Sequence, residues 1–247
     1  AGEYVRVLHV SDIHNNPAAF EFVKQVTKVM KADLVVDTGD ITDYGTEIEA
    51  GIGSRIRGLG VPYLFVAGNH DSPKVIEKLR QYGVILLSEG SFAFKGLKVV
   101  GVNDPGASRP TMEAPSPGEI EEARRKLELR VKWAGEGVSI VAVHSYEVAS
   151  FLAGRVPVIL HGHDHRLSVR EEAGTVVVDA GTTGGAGLRG LASEKAPPLT
   201  VALLHFAKRD GESLPELVAV DTIRVSGVGR GFTIERRLIS GLREPLF

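Results

Sequence analysis

The sequence predicts an α/β fold, a four-layer αββα sandwich in which two mixed β-sheets pack together and helices flank them. Three observations lead there. Short β-branched runs alternate with helical stretches through the first half, the second half is rich in strands, and no linker-like stretch, internal repeat or low-complexity tract divides the chain. The 247 residues are therefore expected to form a single domain, residues 1–247. One core of that size buries roughly 70–75% of the surface exposed by the unfolded chain.

Taken in order, residues 4–10 (YVRVLHV) read as a strand and residues 17–30 as a helix opened by Pro17 in its first turn. Residues 34–37 form a second, buried strand, 46–57 a helix, 63–66 a strand and 73–82 a helix. Strands follow at 84–87, 92–94 and 97–102, arranged as a meander with turns at Glu89-Gly90 and Lys95-Gly96. Residues 103–118 carry Pro105, Pro110, Pro115 and Pro117 with little periodicity and read as a loop. Residues 118–133 form a charged amphipathic helix whose mixed signs suit a solvated outer face. Buried strands are expected at 138–143 and 156–160, a hairpin about Ala173-Gly174 joins 168–172 to 176–179, and strands at 201–206, 217–225 and 232–238 close the chain.

Composition narrows the chemistry. Lys and Arg number 29 against 31 Asp and Glu, a net charge of −2, which argues against holding nucleic acid or an anionic membrane by bulk charge. Arg224, Arg230, Arg236, Arg237 and Arg243, with Glu235 the one acid among them, leave nucleic acid open without indicating it. No apolar run reaches the ~18–20 residues of a membrane helix, so the chain reads as a soluble domain without membrane contact. The expected compartment is the cytoplasm by default, or outside it if sequence before Ala1 carries an anchor or leader; the oligomeric state is open. Cysteine is absent, which removes thiolate nucleophiles, disulfides and iron–sulfur clusters. Metal chemistry must use His, Asp, Glu or Asn.

Those residue types gather after apparent strands. Ser11-Asp12-Ile13-His14 follows the first, Thr38-Gly39-Asp40-Ile41-Thr42-Asp43 the second, and Ala67-Gly68-Asn69-His70-Asp71 the third, while later strands deliver His144-Ser145 and His161-Gly162-His163-Asp164-His165. In α/β sheets such strand ends converge on one edge, where ligands bind. Imidazole with carboxylate suits a pair of divalent cations, Mn, Fe, Zn or Ni. In extended backbone, residues i and i+2 point the same way, so Asp12 with His14, and His163 with His165, can each present two ligands to one place.

These blocks, D-x-H, GD-x-x-D, GNH-D, a lone His and GH-x-H, resemble the calcineurin-like metallophosphoesterases, in order and over residues 12–165. The resemblance implies the two-sheet sandwich over nearly the whole chain. It also implies a hydrolase of phosphoric esters, acting by in-line attack of a hydroxide that bridges two metals. One metal would be held by Asp12, His14, Asp40 and His165, the second by Asp40, Asn69, His144 and His163, with Asp40 bridging. His70 would stabilise the transition state or protonate the leaving oxygen, and Asp71 would orient it. Asp43 and Asp71 read equally well as N-caps of the helices that follow them. His161 alternates away from the ligand face and reads as a buried or supporting histidine; His9 and His205, inside apolar strands, read as structural. Asn15 stands where one branch of the family carries Gly, which weakens assignment to the diadenosine-tetraphosphatase-like group.

Substrate selection is expected in the loops around the metals, where Arg109 and Arg189 could each pair with a phosphate of a small phosphoester, although a solvated surface arginine is the simpler account of either. A diester is favoured over a phosphoprotein, on resemblance to small, cap-poor phosphodiesterase branches. The alternatives are a metal-dependent nuclease or a nucleotide pyrophosphatase of the same fold, a non-catalytic scaffold, and a mononuclear metal hydrolase acting on amides. The filled ligand positions speak against the scaffold.

Overall fold

A computed structural model describes residues 3–109, 113–185, 187, 197–208, 211–226 and 231–239. A seven-stranded sheet and a six-stranded sheet pack face to face. The first contains β1 (Glu3–Val10), β2 (Leu34–Asp37), β3 (Tyr63–Phe65), β4 (Ile85–Leu86), β11 (Leu199–Lys208), β12 (Glu216–Val225) and β13 (Phe232–Leu238), in the order β13-β12-β11-β1-β2-β3-β4. The second contains β5 (Phe92–Phe94), β6 (Leu97–Gly101), β7 (Ile140–Ala142), β8 (Val158–His161), β9 (Ser168–Glu172) and β10 (Thr175–Asp179), in the order β5-β6-β7-β8-β10-β9.

Strands β1 to β4 are mutually parallel, as are β6, β7, β8 and β10. A parallel strand is covered on both faces, which is why LVVD at β2 and VILH at β8 are buried at every position. Three apolar layers result. Val7, Val36, Leu64, Val99, Ile140 and Leu160 fill the space between the sheets. Helix α1 (Pro17–Val29) and helix α3 (Pro73–Gln81) cover the outer face of the first sheet through Phe20, Val23, Val75 and Leu79. Helix α4 (Pro117–Ala134) and the short helix α5 (Tyr146–Ala149) cover the second through Ala123, Leu127 and Val148. This is the αββα sandwich expected from the sequence.

Several local expectations change. The helix expected over 46–57 is α-helical only at α2 (Glu47–Ala50) and continues as a 3-10 helix, Gly51–Gly58, where Gly51 and Gly53 weaken α propensity. The expected meander is split: β4 pairs in parallel with β3 after the α3 crossover, whereas β5 and β6 form a hairpin in the other sheet. Within the expected loop at 103–118, Pro105–Ser108 winds one 3-10 turn capped by Asp104. The proposed N-caps are replaced by their neighbours, since Thr46 caps α2 and Ser72 caps α3. Among the described residues no helix is long and apolar enough to cross a membrane.

Candidate metal centre

Because the parallel strands run the same way, β1, β2, β3, β7 and β8 end at one rim, and the two sheets meet there through hydrogen bonds. His163 N donates to Asp12 Oδ2 at 3.1 Å, and Thr183 N donates to Ser11 O at 2.8 Å. The backbone at this rim is constrained. Asp12, His14, Asn15, Asp40, His163 and His165 all take positive φ, between 47° and 73°; the other three non-glycine residues that do so among the described residues, Lys31, Lys95 and Ala173, lie in turns. Asp, Asn and His tolerate that region better than other side chains, and strain of this kind clusters at functional sites. Glycine is required where chains touch: a Cβ on Gly162 would stand 2.5 Å from Asp12 Oδ2, and one on Gly68 2.1 Å from Asp40 Oδ1.

The predicted ligands assemble into two groups. In the first, Asp12 Oδ1 lies 3.0 Å from His165 Nε2 and 3.7 Å from His14 Nε2, and the two Nε2 atoms are 3.3 Å apart. Asp12 is fully buried, and its Oδ1 has no partner with hydrogen-bond geometry, whereas Oδ2 accepts from Ser11 Oγ at 2.6 Å. In the second group, His144 Nε2 lies 3.2 Å from Asp40 Oδ2, 3.1 Å from Asn69 Oδ1 and 3.2 Å from His163 Nδ1. Asp40 falls in the second group and not within ligand reach of all three members of the first.

The protonation of His144 follows from its other nitrogen. Nδ1 lies 2.8 Å from the carbonyl of Thr38, which can only accept, so Nδ1 carries the proton. In a neutral ring Nε2 then turns a lone pair toward two oxygens, an arrangement that is repulsive unless positive charge sits among them. The electrostatics agree. Burial opposes charging His144, yet the Asp40 carboxylate outweighs it and raises the imidazole well above its ordinary value; burial likewise opposes Asp40, and His144 holds it low. Burial also opposes Asp12, but its contacts with His14 and His165 keep it ionised. Nitrogen and oxygen donors converging in two adjacent groups, with an unsatisfied buried carboxylate oxygen in one, fit a pair of divalent cations.

His70 stands between the groups without joining either. Its Nδ1 bonds Asp43 O at 2.6 Å, which turns Nε2 toward Asp40 Oδ2, 3.9 Å away. Asp71 does not touch that ring. Buried completely, its carboxylate accepts from the backbone N–H groups of Asp40 at 2.7 Å, Thr42 at 3.1 Å and Gly68 at 3.0 Å, clamping the loops after β2 and β3 together. Burial, chiefly, pushes its pKa up to about 6. Asp43 Oδ1 lies 3.2 Å from His14 Nδ1.

His161 is buried, with Nδ1 3.1 Å from Gly162 O and 3.8 Å from Asp179 Oδ2. With Asp164 and Asp179 it forms a third His/Asp group beside the other two. His9 bonds Thr38 Oγ1 at 3.0 Å inside the core, and His205 bonds Asp221 at 2.8 Å. The guanidinium of Arg109 is paired with Glu119 of α4; Arg189 lies outside the described residues. Ser11, Thr38 and Asp43 stand in the sequence blocks, but the supporting roles of the Ser11 hydroxyl and of the Thr38 and Asp43 carbonyls were not read there, and two of these act through backbone atoms that carry no sequence signal.

With this geometry in place, comparison with known proteins is informative. The family described as calcineurin-like phosphoesterase matches residues 5–167. No curated protein matches the chain. Similar solved structures include a Staphylococcus aureus protein assigned as a 5′-nucleotidase, in complex with alpha-ketoglutarate, at 12% identity and TM-score 0.59; the alignment covers 91% of this chain and 55% of that one. TT1561 of Thermus thermophilus aligns at 16% identity and TM-score 0.61, covering 82% of this chain and 94% of its own. GAP50, the anchor in the inner membrane complex of Plasmodium, aligns at 13% identity and TM-score 0.59, covering 96% and 89%. At these identities the likeness establishes the fold alone, a fold found in both an assigned nucleotidase and an anchor.

Proposed function

The chain belongs to the calcineurin-like phosphoesterase family, and from that membership and its candidate metal centre we propose that it is a hydrolase of phosphoric esters that cleaves a small phosphodiester with two divalent cations. The observation that carries this reading is the pair of ligand groups side by side at one rim. Asp12, His14 and His165 would hold one cation, and Asp40, Asn69, His144 and His163 the other. Bound there, the metals supply Lewis-acid polarisation of the phosphoryl oxygens and a water acidic enough to attack in line.

The remaining steps belong to this chain's own side chains. His70, steered by Asp43 O, keeps Nε2 toward Asp40 Oδ2; protonated there, it donates to the developing charge or to the leaving oxygen. Asp71 positions Asp40 by holding the backbone of its loop. Arg109, already paired with Glu119, would serve substrate through its remaining donors or by exchanging that partner, and Arg189 is the second candidate for that task.

The test is hydrolysis of bis-p-nitrophenyl phosphate with added Mn²⁺. Activity lost to a chelator and in Asp40→Ala supports the proposal, and its absence under every divalent metal rejects it. Phosphomonoesters, cyclic nucleotides, nucleotide pyrophosphates and single-stranded DNA on the same sample rank the substrate classes. Replacing Arg109 or Arg189 by Ala should raise KM, and unchanged kinetics in both variants dismiss the arginines.

A further inference from the structure

Strand β13 is the outermost strand of the seven-stranded sheet, and every residue of it is exposed. At the opposite end β4 offers only two residues, a short edge that resists pairing. β13 is longer, with seven residues, and exposes Phe232, Ile234 and Leu238. Its register against β12 places Ile234 opposite Ile223 and Phe232 opposite Val225. Ile223 belongs to the core beneath α1, so the even-numbered side chains of β13 stand on the α1 side, and no described element covers them there. Phe232 is 68% exposed, Leu238 71%, and Val29 of α1 71%. An apolar groove of about 380 Å³ runs along α1, β12 and β13. Single exposed apolar residues are ordinary, whereas a strip beside an unpaired strand edge marks an interaction site.

The backbone shows which groups are free to pair. Ile239 N donates to Val218 O and Ser226 N donates to Gly231 O. Odd-numbered residues therefore bond to β12, and the N–H and C=O of Ile234, Arg236 and Leu238 point outward.

We propose that this edge pairs with the same edge of a second copy of the chain, in an isologous antiparallel contact that joins the two seven-stranded sheets. Charge selects the register. Centred on Glu235, the strands would set two Glu235 carboxylates against each other. Centred on Ile234, they would set each Glu235 against Thr233 and leave Arg237 with no acid opposite it. Centred on Arg236, each Glu235 faces Arg237 of the other copy and each Ile234 faces Leu238, while the outward backbone groups of residues 234, 236 and 238 meet their counterparts. The two Arg236 side chains remain neutralised by their own Asp221, which accepts from Nε at 2.6 Å and from Nη2 at 2.7 Å. Arg237 also donates to Val169 O and keeps further donors for a carboxylate.

Sedimentation equilibrium on the full chain tests this. The expected species is a dimer of the 26.4 kDa chain. Glu235→Arg turns both cross-strand pairs repulsive and should weaken dimerisation about tenfold or more, and Ile234→Lys should do the same. The double variant Glu235→Arg/Arg237→Glu restores opposite charges and should recover the dimer. Circular dichroism confirms that each variant is folded, which is expected because β13 contributes nothing to the metal centre. A folded chain that stays monomeric at all concentrations overturns the proposal. So does a dimer that Glu235→Arg and Ile234→Lys leave unchanged, failure of the double variant to recover, or growth into open polymers, which requires a heterologous contact.

Discussion

His144 of the second sheet is aimed by Thr38 of the first: Nδ1 lies 2.8 Å from the Thr38 carbonyl, and this bond directs Nε2 to Asp40 Oδ2, 3.2 Å away. The second ligand group thus exists only where the sheets close on each other, and its key support is a backbone oxygen that no substitution can delete. His144→Ala should lower metal affinity by more than the roughly 10–100-fold typical of losing an outer hydrogen-bond partner. Elemental analysis should then approach one metal per chain, and retention of two metals at unchanged affinity would remove His144 from the site.

His70 separates chemistry from metal binding. Its ring belongs to neither ligand group and is fixed by Asp43 O. His70→Asn should reduce kcat by roughly 10²–10⁴-fold, the usual range for a general acid or base, while isothermal titration shows unchanged metal affinity. A parallel fall in metal affinity would make it a ligand instead.

Asp71 tests positioning. Two carboxylate oxygens accept N–H groups of Asp40, Thr42 and Gly68 and the hydroxyl of Thr42. An amide has one oxygen and turns an NH₂ against a donor, so Asp71→Asn should cost about 1–3 kcal/mol of stability and weaken metal binding as Asp40 shifts. Denaturant unfolding and titration with Mn²⁺ check both. Lost activity with intact stability and metal affinity would return Asp71 to a direct catalytic role.

Asp179 sets a pH dependence of stability. It is buried at the end of β10 and accepts from Gly181 N at 2.7 Å, and burial, chiefly, pushes its carboxyl up to about 8 from the ordinary 3.8. The folded state therefore binds the proton more tightly than the unfolded state. The associated stability is complete below about pH 4 and is lost as pH rises through 8. Asp179→Asn keeps an acceptor for Gly181 and removes the titration. Its melting temperature relative to the parent should rise between pH 5 and pH 9, by about 2–4 °C for each kcal/mol regained. Parallel melting curves at all pH values would refute the assignment.

Much of the site was legible because metal ligation constrains residue type and short spacing. Asp12 and His14, or His163 and His165, lie two apart after a strand, and the β-branched runs preceding each block announce the strands themselves. The layer order was legible for the same reason, since helix and strand periodicities are local properties. What could not be read were relations that cost nothing in local pattern. β4 leaves β5 and β6 for the other sheet because its parallel partner is β3, set by the α3 crossover rather than by its own residues. His161 pairs with Asp179 only because β8 and β10 are neighbours.

The sequence by itself determined that imidazole and carboxylate, without thiolate, gather at the ends of alternating strands of an αββα sandwich, because composition and periodicity are carried residue by residue. Tertiary structure alone decided which nitrogen of His144 faces Asp40, that Asp71 clamps the Asp40 loop instead of the His70 ring, and that β13 is outermost among the described strands of its sheet. Each of these depends on backbone groups and strand neighbours brought together across the chain, and a backbone carbonyl looks the same in every residue until packing places it.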